Sequence, residues 1–131
     1  MRGSLTVRFP PTPAAVALAR QQLDSMRERL TDDAYEDARL MVSELITNSL
    51  RHASLAVDQE IELAMRLHGS TLWVEVRDPG PGFEPRPRSS DASAERGWGL
   101  YLVARLADRW GVERDDVNRV WFELDRAAPA S

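Results

Sequence analysis

Glu44-Leu-Ile-Thr-Asn48-Ser-Leu-Arg51-His52 decides the reading of this chain once it is set beside two later stretches, Asp78-Pro-Gly80-Pro-Gly82-Phe83 and Arg96-Gly97-Trp98-Gly99-Leu100. Thr31 supplies a hydroxyl cap, and Asp32 and Asp33 place negative charge in the first turn of the helix that carries the first stretch. Arg51 and His52 fall where that helix ends, on the side of the dipole that favours cations. Glu44, Asn48 and His52 are spaced i, i+4 and i+8, so they share one stripe. Leu45, Ile46, Ser49 and Leu50 occupy the adjoining surface, which includes the apolar part. A solvated helix face reads the same way by spacing alone. The residue types add chemistry. An asparagine oxygen can ligate Mg²⁺, which prefers oxygen donors and keeps several waters. A glutamate one turn away can take a proton from a hydroxyl attacking a phosphate. Arg51 could reach a phosphate oxygen.

The second stretch follows a strand directly. Asp, Pro and Gly are the usual turn residues, so a plain turn is one reading. The other rests on two glycines bracketing a proline, with an aspartate at the strand's end. Such a loop lets a flat ligand lie against the backbone without interference from Cβ atoms. The Asp78 carboxylate would then accept a hydrogen bond from an amino group such as that of adenine. In the third stretch, free amides at a helix N-terminus on a glycine-rich approach form an anion site. A flexible entry to an amphipathic helix is the alternative.

The rest of the chain supplies the frame. Leu5, Val7 and Phe9 alternate with polar residues as a short half-buried strand, and Pro10 and Pro11 end it. Thr12-Pro13 starts a helix expected to run to about Leu30. Ile61, Leu63, Met65 and Leu67 alternate, His68-Gly69-Ser70 turns, and Leu72, Val74 and Val76 alternate again: a hairpin. A third helix is expected from about Trp98 to Ala107, then a closing hairpin through Val112, Val120, Phe122 and Leu124. The tryptophans read as packing residues and His68 as a turn residue. The order β-α-α-β-β-loop-α-β-β predicts an α+β fold: a two-layer α/β sandwich, its mixed sheet mostly antiparallel, with helices on one face. One domain over residues 1–131 is expected, its core at about 5–125.

Composition excludes several chemistries. All 17 basic residues are arginine, so no lysine is present for a Walker A loop, a protein-kinase third strand or a Schiff base. With no cysteine, disulfides and thiolate metal sites are out, and two histidines make a zinc cage improbable. A net charge of −4 argues against a general nucleic-acid binder. No run approaches the roughly 18 apolar residues a membrane helix needs, and no signal-peptide pattern opens the chain, so the expected location is cytoplasmic.

Taken together and in this order, the three stretches resemble the N box and the two glycine boxes of the GHKL (Bergerat-fold) ATPases. The likeness spans roughly residues 5 to 125 and is strongest to the anti-sigma-factor serine kinases, whose usual ending is similar to Leu106-Ala-Asp-Arg-Trp-Gly111 and Val120-Trp-Phe-Glu-Leu124. The resemblance implies ATP as ligand, Mg²⁺ held by Asn48, the adenine amino group read by Asp78, and Glu44 as catalytic base. Gly80, Gly82, Gly97 and Gly99 would shape the pocket, with Arg51, His52, Arg96, Trp98 and Leu100 beside them. Residues 84–95 would form a short ATP lid. It further implies an antagonist protein carrying the phosphoacceptor serine, a sequestered sigma factor, and a homodimer. Two other readings remain open: a module that binds ATP or a partner without phosphotransfer, and a detached histidine-kinase catalytic domain. The second is disfavoured because no helix pair with a phosphoacceptor histidine precedes the boxes.

Overall fold

Alternating apolar residues at both ends of the chain must find a common sheet, and in the computed structural model they do. The structure describes residues 2–52, 59–79 and 94–129. In chain order these form β1 (Arg2–Phe9), α1 (Ala14–Asp24), a single 3₁₀ turn (Arg27–Arg29), α2 (Asp32–His52), β2 (Ile61–His68), β3 (Thr71–Asp78), α3 (Ala94–Leu106), β4 (Arg109–Arg114) and β5 (Asn118–Leu124). The strands form one sheet in the order β1-β2-β3-β5-β4. All four ladders are antiparallel, so the sheet is simpler than the mixed one expected.

Strand alternation sets the layers. Met65, Val74 and Phe122 face one another across β2, β3 and β5, and all three are buried. They pack under Met41, Leu45 and Ile46 of α2, which are also buried. α2 packs against both α1 and α3 and touches β3 and β5 beneath it. It is the central helix of the layer, and burial of each large side chain there stabilises by about 1.5–3 kcal/mol. Its start is as expected, because the Thr31 hydroxyl accepts a hydrogen bond from the Ala34 amide at 3.1 Å.

Two helix boundaries differ from expectation. α1 stops at Asp24, not near Leu30. The Ser25 hydroxyl donates to the Gln22 carbonyl at 2.6 Å, and a 3₁₀ turn follows. This is the local competition that makes serine a poor helix-interior residue. α3 begins at Ala94, four residues ahead of Trp98, since Ala94, Glu95 and Arg96 are all good helix formers.

On the helix-free face, charged residues pair across and along the strands. Arg8 donates to Glu62 at 3.2 Å, and Arg77 donates to Glu62 at 3.2 Å and to the buried Glu75 at 2.6 Å. Arg66 lies over Trp73, 4.2 Å from the ring centre. No helix among the described residues is long and apolar enough to cross a membrane.

Candidate functional site

The inward row of β3 runs Leu72, Val74, Val76 and then Asp78; that of β5 runs Asn118, Val120, Phe122 and Leu124. The register sets Asp78 directly opposite Asn118. The apolar rows under the helices therefore end in a polar pair. α2 meets this end of the sheet with Asn48 and Ser49, as polar residues take over from Leu45 and Ile46.

Asn48, Ser49, Asp78 and Asn118 are respectively 3%, 6%, 5% and 5% exposed. Buried polar groups need partners, and Asp78 has them. The Ser49 hydroxyl donates to its Oδ2 at 2.8 Å. The Asn118 amide nitrogen donates to its Oδ1 at 2.9 Å. Asn48 differs: its amide Nδ2 has no hydrogen-bond partner among the described residues. Leaving such a group buried and unsatisfied costs about 1–3 kcal/mol. Turning the amide about its last side-chain bond exchanges nitrogen for oxygen with little change of shape. The same position can thus offer a donor to a phosphate oxygen or an oxygen to a cation.

One turn earlier on α2, Glu44 is half-exposed and makes no hydrogen bond or ion pair among the described residues. Its carboxylate is available to an incoming group. Arg51 is exposed near the C-terminal end of α2 and is likewise unpaired among the described residues. Nearer the start of the helix, Asp37's carboxyl is pushed above its ordinary range, first by partial burial and then by the charges of Asp33 and Glu36.

The structure thus brings Asp78 against the helix that carries Glu44 and Asn48. The backbone of Arg96, Gly97, Trp98 and Gly99 lies within the first turns of α3, and Leu100 is buried in the core. The side chains of His52, Arg96 and Trp98 lie outside the described residues, as do Gly80, Gly82 and residues 84–93 of the expected lid. Among the described residues no group of three or more His, Cys, Asp or Glu side chains could hold a metal ion. A cation here would rest on the Asn48 oxygen together with ligand oxygens, a donor set that suits Mg²⁺.

Asp78 and Pro79 also border a cleft of about 280 Å³ whose other walls are Arg8, Glu60, Glu62, Arg77 and Val117. Arg8, Glu62 and Arg77 belong to the ion-paired row on the helix-free face, so this cleft lies behind the strand end, away from Asn48.

Ser49 and Asn118 were not among the site residues expected from sequence. A serine at an inward position beside Leu45 and Ile46 was one available signal. An asparagine in phase with Val120, Phe122 and Leu124 was the other. Asn118 needed the β3–β5 register to acquire meaning, and Ser49 needed the contact of α2 with the end of β3.

The profile of histidine kinase-like ATPase domains matches residues 9–124. Serine-protein kinase RsbW of Listeria monocytogenes serotype 4a (strain HCC23) is 33% identical over 122 residues, covering 82% of this chain and 78% of that protein. Serine-protein kinase RsbW of Bacillus pumilus (strain SAFR-032) is 29% identical over 125 residues, covering 83% and 77%. In fold, the chain is similar to the crystal structure of the RsbU and RsbW domains of a Mycobacterium tuberculosis protein. The TM-score is 0.75 at 19% identity, over 98% of this chain and 34% of that one.

Proposed function

The chain belongs to the histidine kinase-like ATPase family, and from that premise we propose that it binds ATP and phosphorylates a serine or threonine of a partner protein, as an anti-sigma-factor-type switch. The observation that carries this reading is the buried amide nitrogen of Asn48, which has no hydrogen-bond partner among the described residues, one helical turn from the Glu44 carboxylate, which makes no hydrogen bond or ion pair among them. A stable fold tolerates an orphaned buried amide where a ligand satisfies it. That amide adjoins Ser49, whose hydroxyl holds Asp78.

In this reading Asp78 accepts a hydrogen bond from the adenine amino group, and Asn48 contributes its oxygen to Mg²⁺. ATP supplies the phosphoryl group, and Mg²⁺ offsets its charge. Glu44 takes the proton of the attacking protein hydroxyl. Its half-exposed position suits this role, because a protein substrate must reach the carboxylate from solvent. Arg51 stands ready for a phosphate oxygen, since arginine is the only cation that does not titrate away near neutral pH in a chain without lysine. The glycine boxes, with Gly80, Gly82, Gly97 and Gly99, shape the nucleotide pocket. The name shared by the relatives, serine-protein kinase, supports a protein hydroxyl as acceptor. By the same resemblance, the serine belongs to an antagonist protein and the sequestered partner is a sigma factor. The protein works in the cytoplasm, as a dimer.

Glu44→Gln tests the assignment, because it keeps the side chain's shape and removes its basicity. ATP affinity should change by less than about threefold, while phosphotransfer to a partner serine falls by about 10²–10⁴. The measurement is a time course with labelled ATP and a panel of candidate antagonist proteins, beside a binding isotherm. A mutant that phosphorylates at the parental rate removes Glu44 from the chemistry. A parent that binds ATP and transfers nothing to any partner leaves a binding module.

A further inference from the structure

The polar cluster at the end of the sheet has more members than nucleotide contact alone requires. Ser49, Asp78 and Asn118 are each more than nine-tenths buried, at the end of rows that are otherwise apolar. Apolar side chains of similar size would fill those positions without the desolvation cost of three polar groups, and such replacements are often neutral or stabilising. The cluster is therefore poor packing material, and its geometry has a different consequence. Ser49 donates to one carboxylate oxygen and Asn118 to the other, at 2.8 and 2.9 Å, from two different elements. Rotating the carboxylate would break both bonds at once. Each bond also delivers a hydrogen to Asp78, so the carboxylate is engaged as an acceptor on both sides.

We infer that Ser49 and Asn118 are positioning residues that hold Asp78 as an oriented acceptor, and that they set the discrimination between a nucleobase with an amino group and one with a carbonyl in its place. The inference rests on the proposed reading of Asp78 as the adenine contact. An amino group donates to an acceptor-only carboxylate. A carbonyl oxygen meets it acceptor to acceptor, with a buried group left unpaired, which is the strong form of rejection. A carboxylate free to turn, or to share a proton with the ligand, would lose part of that rejection. Neither Ser49 nor Asn118 needs to touch the base.

The test is the ratio of ATP to ITP affinity, because the two nucleotides differ at this position of the base. Calorimetric titrations of the intact chain with each nucleotide in Mg²⁺ give the ratio directly. Ser49→Ala and Asn118→Leu should each lower it by about threefold to tenfold, the weight of one net hydrogen bond. Ser49→Thr retains the hydroxyl and should keep the parental ratio. A merely structural role would weaken both nucleotides together and leave the ratio unmoved. Asn118 is deep in the sheet; should Asn118→Leu fail to fold by circular dichroism, Ser49→Ala decides. A folded Ser49→Ala with the parental ratio overturns the inference while Asp78 keeps its role. Equal affinity for ATP and ITP in the parent overturns the adenine reading and this inference with it.

Discussion

Asp78 receives one hydrogen from the Ser49 hydroxyl and another from the Asn118 amide, and its side chain is almost fully withdrawn from water. A carboxamide in its place keeps the size but turns one oxygen into a donor, which cannot accept from both neighbours and from a ligand amino group together. Asp78→Asn should lower ATP affinity by about tenfold to a hundredfold, the weight of a charge-assisted hydrogen bond. Equilibrium dialysis with labelled ATP measures it; unchanged affinity would leave Asp78 as a structural group. At this scale the sequence was informative wherever a residue's partner lay near it in the chain. Glu44 and Asn48 share a stripe by helical spacing alone. Asp78 stood out because it closes a strand and opens a glycine-rich loop. Ser49 and Asn118 acquire meaning only through Asp78, 29 and 40 residues away along the chain, contacts that no local pattern encodes.

Elements were legible where hydrophobic period and end signals agreed. α2 has the cap at Thr31, the acidic first turn and the apolar face, and it forms as expected. α1 ends early because Ser25 turns back onto the Gln22 carbonyl, and that competition is decided by geometry that spacing does not carry. α3 starts early because three good helix formers precede Trp98, and these outweigh the glycines as a boundary signal. The β4–β5 ladder depends on a feature invisible in either strand alone. Gly111 stands opposite Trp121, and the indole occupies the space a Cβ would need. A methyl group at Gly111 would lie 2.7 Å from Trp121 Nε1 and 2.9 Å from two ring carbons. The ring must therefore move. Gly111→Ala should destabilise by about 1–3 kcal/mol, as overpacking does, and should shift tryptophan emission. Thermal melting followed by fluorescence checks both, and coincident curves for parent and mutant would mean that the indole moves aside without cost.

On the scale of the whole molecule, one antiparallel sheet carries a helix layer in which α2 is central, and the candidate site sits where α2 crosses the ends of β3 and β5. The α+β class followed from element order, since strands at both ends of the chain and one hairpin in the middle leave the helices a single face to cover. Strand order could not be read the same way. β5 inserts between β3 and β4, an arrangement set by tertiary pairing and not by local sequence. The absence of lysine, visible at once, directs any phosphate contact to arginine, backbone amides and a metal. The central proposal is that the Asn48 and Asp78 end of the sheet holds a magnesium-bound adenine nucleotide. Calorimetric titration of the chain with ATP and with GTP, each in Mg²⁺ and again in EDTA, tests that claim most directly. ATP should bind at a single site and weaken clearly in EDTA, with GTP weaker than ATP by about tenfold or more. Equal affinities for ATP and GTP, or ATP isotherms that coincide with and without EDTA, would contradict it.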